Sequence, residues 1–114
     1  MVVISLLLAT ICFNGDCYPA LVGRDTPKGT FQLTPMITKQ PGYGGDVLKF
    51  KETETEWYAI HRVWLLKPEQ HRLERLQSGV TAERVTVTAG CVNVTPDVYE
   101  KLRSCCSYDK LEIH

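Results

Sequence analysis

The sequence carries no surplus of charge: 13 Lys and Arg balance 13 Asp and Glu, so the formal net charge is zero with His neutral. A protein that grips a polyanion needs a basic excess, so nucleic acid is not an expected partner. No apolar run reaches bilayer-spanning length, and no integral membrane span is expected. No pair of cysteines has C-x-x-C spacing, which argues against zinc. The glycines between Lys39 and Asp46 match neither phosphate-loop pattern, G-x-x-x-x-G-K-[ST] nor G-x-G-x-x-G. With no ligand cluster, no metal and no organic cofactor are expected. Internal repeats, low-complexity tracts and linkers are also missing, and 114 residues suit one domain with one core, residues 1–114.

The cysteines form an odd set of 5: Cys12, Cys17, Cys91, Cys105 and Cys106. In an oxidising compartment at least one stays unpaired, and Cys91 is the candidate. A bridge between the neighbours Cys105 and Cys106 would be strained. Val2 to Phe13 is mostly apolar and could be the core of a signal peptide, but no Lys or Arg precedes it and no clean small-x-small cleavage site follows. The better reading is a strand that runs into Asn14-Gly15, a type I′ hairpin signal. That reading leaves no recognisable export signal and suits an N-terminally truncated domain of something longer. Across the turn Phe13 faces Asp16 and Cys12 faces Cys17, in a pair where a disulfide or two reduced thiols would fit equally. Pro19 marks the second strand as an edge or an interrupted strand.

Further along, Gly23 to Gly29 is a turn-rich loop and Thr30 to Thr34 a strand that Pro35 ends or bends. Lys39 to Asp46 reads as a connection, or a flap over a site. Val47 to Phe50 is a short strand, followed by the polar Lys51 to Glu56, a turn or an exposed strand end. Trp57 to Leu65 alternates strongly, with Trp57, Ala59, His61 and Val63 on one face and Tyr58, Ile60, Arg62 and Trp64 on the other. Lys67-Pro68-Glu69 opens a helix of two to three turns that Gly79 stops; Leu73 and Leu76 share its buried face, and Arg72, Glu74 and Arg75 are solvated. Arg84 to Thr88 reads as a strand. Thr95-Pro96-Asp97 starts a helix, with Thr as N-cap and Val98, Tyr99 and Leu102 at core spacing. Lys110 to Ile113 is the last strand. The expected fold is mostly β with two short helices.

The stretch Val85–Pro96 organises the rest. It places Cys91 after a small residue and a glycine, between a strand and a helix, which is a way to present a nucleophile beside backbone N–H groups. Taken alone it is described as well by a buried structural cysteine next to a turn glycine. Among the 3 histidines, His114 is terminal and expected to be disordered, His71 lies on the polar side of a helix, and His61 is mid-strand. His61 is a core residue or, if it reaches Cys91, a base that transfers or pre-transfers the thiol proton. No acid is in view to orient such a base; a backbone carbonyl would serve, and that of Arg62 is the first place to look.

Several segments together resemble the catalytic domain of L,D-transpeptidases (the YkuD or ErfK/YbiS family). They are Tyr58-Ala59-Ile60-His61-Arg62-Val63, Arg72-Leu73-Glu74-Arg75-Leu76 and Thr88-Ala89-Gly90-Cys91-Val92-Asn93-Val94. The segment Gly23 to Phe31 is similar to the family's T-P-x-G-x-F element, and Pro96, Tyr99 and Leu102 fit its helix after the cysteine. The likeness runs from Tyr18 to Ile113. It implies a β-sandwich or barrel-like fold and acyl transfer on peptidoglycan stem peptides in the periplasm or cell envelope of a bacterium. By the resemblance Cys91 is the nucleophile and His61 the general base and acid. Gly90 and the Cys91 N–H stabilise the oxyanion, Thr88 supports the loop, and the Arg62 carbonyl orients the base. Asn93 orients the loop or contacts substrate, and Tyr58 is a second substrate contact. Ala89 stands where many members carry a second His, which leaves His61 as the base.

The implied enzyme is a cysteine-dependent acyltransferase that takes a stem tetrapeptide as donor and an amine as acceptor. Two alternatives keep the fold: an L,D-carboxypeptidase with water as acceptor, and a non-catalytic peptidoglycan-binding domain. A small disulfide-stapled structural protein would account for Cys12 and Cys17 but gives Gly90-Cys91 and the strand histidine no reason.

Overall fold

The computed structural model describes residues 1–114. Nine strands form two sheets. One holds β3-β2-β1-β9-β4, from β1 (Val2–Ser5), β2 (Thr10–Phe13), β3 (Asp16–Pro19), β4 (Gly29–Gln32) and β9 (Lys110–Ile113). The other holds β5-β6-β7-β8, from β5 (Thr34–Ile37), β6 (Asp46–Glu52), β7 (Trp57–Arg62) and β8 (Val92–Val94). Two helices, α1 (Arg72–Gln77) and α2 (Pro96–Cys106), complete the expected mostly-β architecture. The sheets and α2 share one apolar cluster, with Ile4, Ile11, Leu48, Ile60, Leu102 and Leu111 inaccessible to solvent. Each such side chain contributes roughly 1.5–3 kcal/mol relative to an exposed one.

The hairpin at Asn14-Gly15 has the expected register, Cys12 against Cys17 and Phe13 against Asp16, with both turn residues at positive φ (52° and 82°). β3 lies at the sheet edge, where Pro19 costs no ladder bond. Cys12 and Cys17 are bridged, and so are the neighbours Cys105 and Cys106, which the sequence left open; Cys91 is the free thiol.

Val2 to Phe13 is not one strand. Residues 6–9 make a turn, with Ala9 at φ 51° and the Ser5 hydroxyl accepting from the Leu8 N–H at 3.1 Å. β1 and β2 therefore pair antiparallel. Buried Arg84 fastens the turn, donating to the carbonyls of Leu8 (3.0 Å), Ala9 (3.3 Å) and Ser78 (2.6 Å). Arg84 to Thr88 is accordingly not a strand either. Thr86 is at φ 54°, and the N–H groups of Val87 and Thr88 both point at the Val22 carbonyl. The strand of this region follows Cys91 instead of preceding it.

The helix expected from Lys67 is broken. A 3₁₀ turn, Pro68–Gln70, ends at His71 with φ 52°, and α1 starts afresh at Arg72. The chain's last residue is tied down: the His114 N–H donates to the Ile4 carbonyl at 3.0 Å, and the His114 carbonyl accepts from Leu6 at 2.8 Å. No helix is long and apolar enough to cross a membrane.

Candidate active site

β7 and β8 run parallel, with Ile60 beside Val92, His61 beside Asn93 and Arg62 beside Val94. Alternation along β7 points Tyr58 and Ile60 toward the core, while Trp57, Ala59 and His61 line a cleft with Cys91. The cleft has a volume of about 500 Å³. The thiol also borders a second cleft of about 330 Å³, walled by Trp64, Arg72 and Thr88 to Gly90. Tyr43, Glu56, Trp57, His61 and Cys91 belong to both.

His61 is 2% exposed, and its Nδ1 lies 2.6 Å from the Arg62 carbonyl oxygen, the contact sought in the sequence. A carbonyl only accepts, so Nδ1 carries the proton and Nε2 has a free lone pair. Asn93 fixes the same tautomer independently. Its Oδ1 accepts from the Trp64 N–H at 3.2 Å and from Arg72 Nη1 at 3.1 Å, which turns Nδ2 toward His61 Nε2 at 3.4 Å. Asn93 is fully buried and its main chain is paired with Leu21 in both directions. Of the two roles expected for it, orienting the loop or contacting substrate, its buried contacts with His61, Trp64 and Arg72 fit an orienting one.

The Cys91 thiol donates to the Trp57 carbonyl at 3.7 Å. Burial pushes its pKa up, more than the Ala59 backbone and the Arg72 charge pull it down. Burial also pushes His61 down to about 4, against the Arg62 carbonyl, which acts upward, and with Arg72 acting in the same direction as burial. Both groups are therefore neutral at pH 7 in the resting protein. A pre-transferred thiolate–imidazolium pair, one of the two sequence expectations, is disfavoured because both charges would be desolvated.

Gly90 has φ 145°, and a Cβ there would lie 2.5 Å from the Tyr58 ring. Glycine is thus required by conformation and by space. The Tyr58 ring is the floor of the loop. The Thr88 hydroxyl accepts from the Gly90 N–H at 3.1 Å and donates to the Cys91 carbonyl at 2.6 Å. Buried Thr26 adds a donation to the Gly90 carbonyl at 3.0 Å. Within the region expected to stabilise an oxyanion, the Gly90 N–H is taken by Thr88, whereas the Cys91 N–H makes no hydrogen bond within the chain.

Two residues of this site escaped the sequence reading. Tyr43, from the glycine-rich loop, meets the His61 ring edge-on with centroids 4.6 Å apart. Arg62 anchors that loop: its Nη1 donates to the Tyr43 and Gly44 carbonyls (3.3 Å each) and pairs with Asp46 at 2.9 Å, while Nη2 pairs with Glu100 of α2 at 2.8 Å. Arg72, expected in solvent, is partly buried and spreads over the Trp64 ring at 5.1 Å. The positive-φ break at His71 restarts the helix, and with it the facing of Arg72; an R-L-E-R-L pattern does not announce that.

The chain aligns over 99% of its length with three solved structures. An L,D-transpeptidase from Mycobacterium smegmatis matches with a TM-score of 0.62 at 18% identity. One from Xylanimonas cellulosilytica matches with 0.59 at 15%, and Mycobacterium tuberculosis L,D-transpeptidase 1 with 0.57 at 19%. The chain spans 57%, 59% and 60% of those chains respectively. No protein-family model and no curated protein matches the sequence. The fold is the L,D-transpeptidase fold.

Proposed function

We propose that the chain is a cysteine-dependent acyltransferase of the L,D-transpeptidase type, acting on peptidoglycan stem peptides. The observation that carries this reading is the position of Cys91 and His61 on the wall common to two clefts. A transfer needs room for a donor and for an acceptor at the nucleophile, and two adjoining clefts at Cys91 offer it. Cys91 Sγ attacks the carbonyl of the third stem residue while its proton passes to His61 Nε2, displacing the weak Asn93 contact. The Arg62 carbonyl holds the resulting imidazolium, and the open Cys91 N–H faces the oxyanion. Collapse forms the thioester and breaks the amide bond; the departing D-alanine amine takes the proton from His61. An amine from a second stem then attacks the thioester, gives its proton to His61, and the thiol is restored. Water in place of the amine makes the same site an L,D-carboxypeptidase. Such a substrate would put the protein at work in a bacterial envelope.

The test is intact mass spectrometry after incubation with a stem tetrapeptide ending in D-alanine. The expected result is a mass gain equal to the peptide minus D-alanine, absent in Cys91→Ala. No adduct and no released D-alanine from folded protein would favour the non-catalytic, peptidoglycan-binding reading.

A further inference from the structure

Arg72 is a cation without an acidic partner at the edge of the reactive cleft. The other arginines near the site are satisfied by acids: Arg62 by Asp46 and Glu100, and Arg103 by the same two. Arg72 Nε donates to Gln70 Oε1 at 2.8 Å and Nη1 to Asn93 Oδ1 at 3.1 Å, both neutral acceptors. Its Nη2 makes no hydrogen bond within the chain, although the residue lines the cleft with Cys91 and His61. Gln70, Asn93 and the Trp64 ring hold the fork in place, so little side-chain freedom remains to be lost on binding. Glu56, the acid of that cleft, makes no ion pair with it.

The spacing suggests what the fork is for. One carboxamide, that of Asn93, bridges His61 Nε2 and Arg72 through two contacts of 3.4 Å and 3.1 Å. A leaving amino acid whose nitrogen replaces Asn93 Nδ2 at the imidazole carries its carboxylate one carbon farther on, toward the unpartnered Nη2, while Asn93 Oδ1 keeps Nη1. We propose that Arg72 binds the free α-carboxylate of the residue that leaves, and so restricts the site to donors ending one residue past the scissile carbonyl. This rests on the acyl-transfer reading above and adds to it a residue that measures the donor's length. Arg72 contacts substrate in this role but moves no proton.

The test separates binding from turnover. Affinities of the tetrapeptide free acid and its C-terminal amide are measured by calorimetry on Cys91→Ala, where no acylation occurs. The acid should bind about 10-fold to 100-fold more tightly, as expected for a charge-assisted hydrogen bond. Adding Arg72→Gln should bring acid and amide within about 2-fold, and Arg72→Lys should keep part of the preference. A residue that only props up Asn93 would weaken both peptides alike and leave their ratio intact. Equal affinities in the Arg72 protein, a preference that survives Arg72→Gln, or no binding of either peptide would each overturn the proposal. An acid preference that depends on Arg72 would stand even if the wild-type protein forms no acyl-enzyme, so the two readings can fail separately.

Discussion

His61 Nδ1 donates a 2.6 Å hydrogen bond to the carbonyl of Arg62, the next residue of the same strand. The imidazole is thereby folded back on its own main chain, and no carboxylate is needed to choose its tautomer. Because a carbonyl dipole stabilises an imidazolium less than a carboxylate would, burial wins and the ring is neutral at rest. That balance governs the behaviour of the site with pH.

Stability should fall as the solution is acidified through the histidine range. His61 has a folded pKa of about 4 against an ordinary 6.5, so the unfolded chain takes up the proton first. The contribution is fully present above pH 6.5 and is lost as pH falls toward 4. The shift corresponds to roughly 3 kcal/mol. Urea unfolding of the wild type and His61→Gln at pH 7 and pH 4 checks this: the wild type should lose more stability than the variant by about that amount. Parallel losses would mean that His61 titrates in the native protein as it does in the unfolded chain.

Alkylation of Cys91 should be slow at pH 7. Burial raises the thiol pKa, so the thiolate fraction is small and the iodoacetamide rate should inflect above the ordinary thiol range. An inflection near pH 6 would instead reveal a resting ion pair with His61.

Replacing Asn93 should cost more than its own contacts. Asn93→Ala strands the Trp64 N–H and loosens Arg72 and His61, for an expected loss of about 1–3 kcal/mol in chemical denaturation. Asn93→Asp would place a negative charge at His61 Nε2, and the His61 pKa followed by NMR should rise from about 4. An unmoved titration would show that Asn93 does not face the ring.

Gly90→Ala should abolish acylation and lower stability by more than about 1 kcal/mol, since it meets both a positive φ and the Tyr58 ring. Combining it with Tyr58→Leu relieves the clash but not the backbone, so stability should return only in part. Full recovery of stability in circular-dichroism melts would make space the whole reason for the glycine.

How legible each element was depended on how local its cause is. Asn14-Gly15 sets its own hairpin register, and the alternation of β7 sorts its side chains without help from elsewhere. The Arg62 carbonyl could be sought because a strand histidine always has its neighbour's carbonyl close by. Where distant groups decide, the pattern misleads. Leu7 and Leu8 look like strand interior but form an exposed turn whose carbonyls belong to Arg84, 76 residues away. The run Val85-Thr86-Val87-Thr88 has strand composition, yet two of its N–H groups share the Val22 carbonyl. Arg72 is inward only because the chain turns left-handed at His71.

The group that steers His61 is a peptide oxygen, and no codon spells it. Changing the Arg62 side chain would free the glycine-rich loop from α2 while leaving that oxygen in place. A mutational scan of this protein would therefore score Arg62 for its grip on the loop and pass over its hold on the imidazole. Genetics would count two members in an array that the geometry builds from three; seeing the third takes a change to the backbone itself, such as an ester in place of that amide.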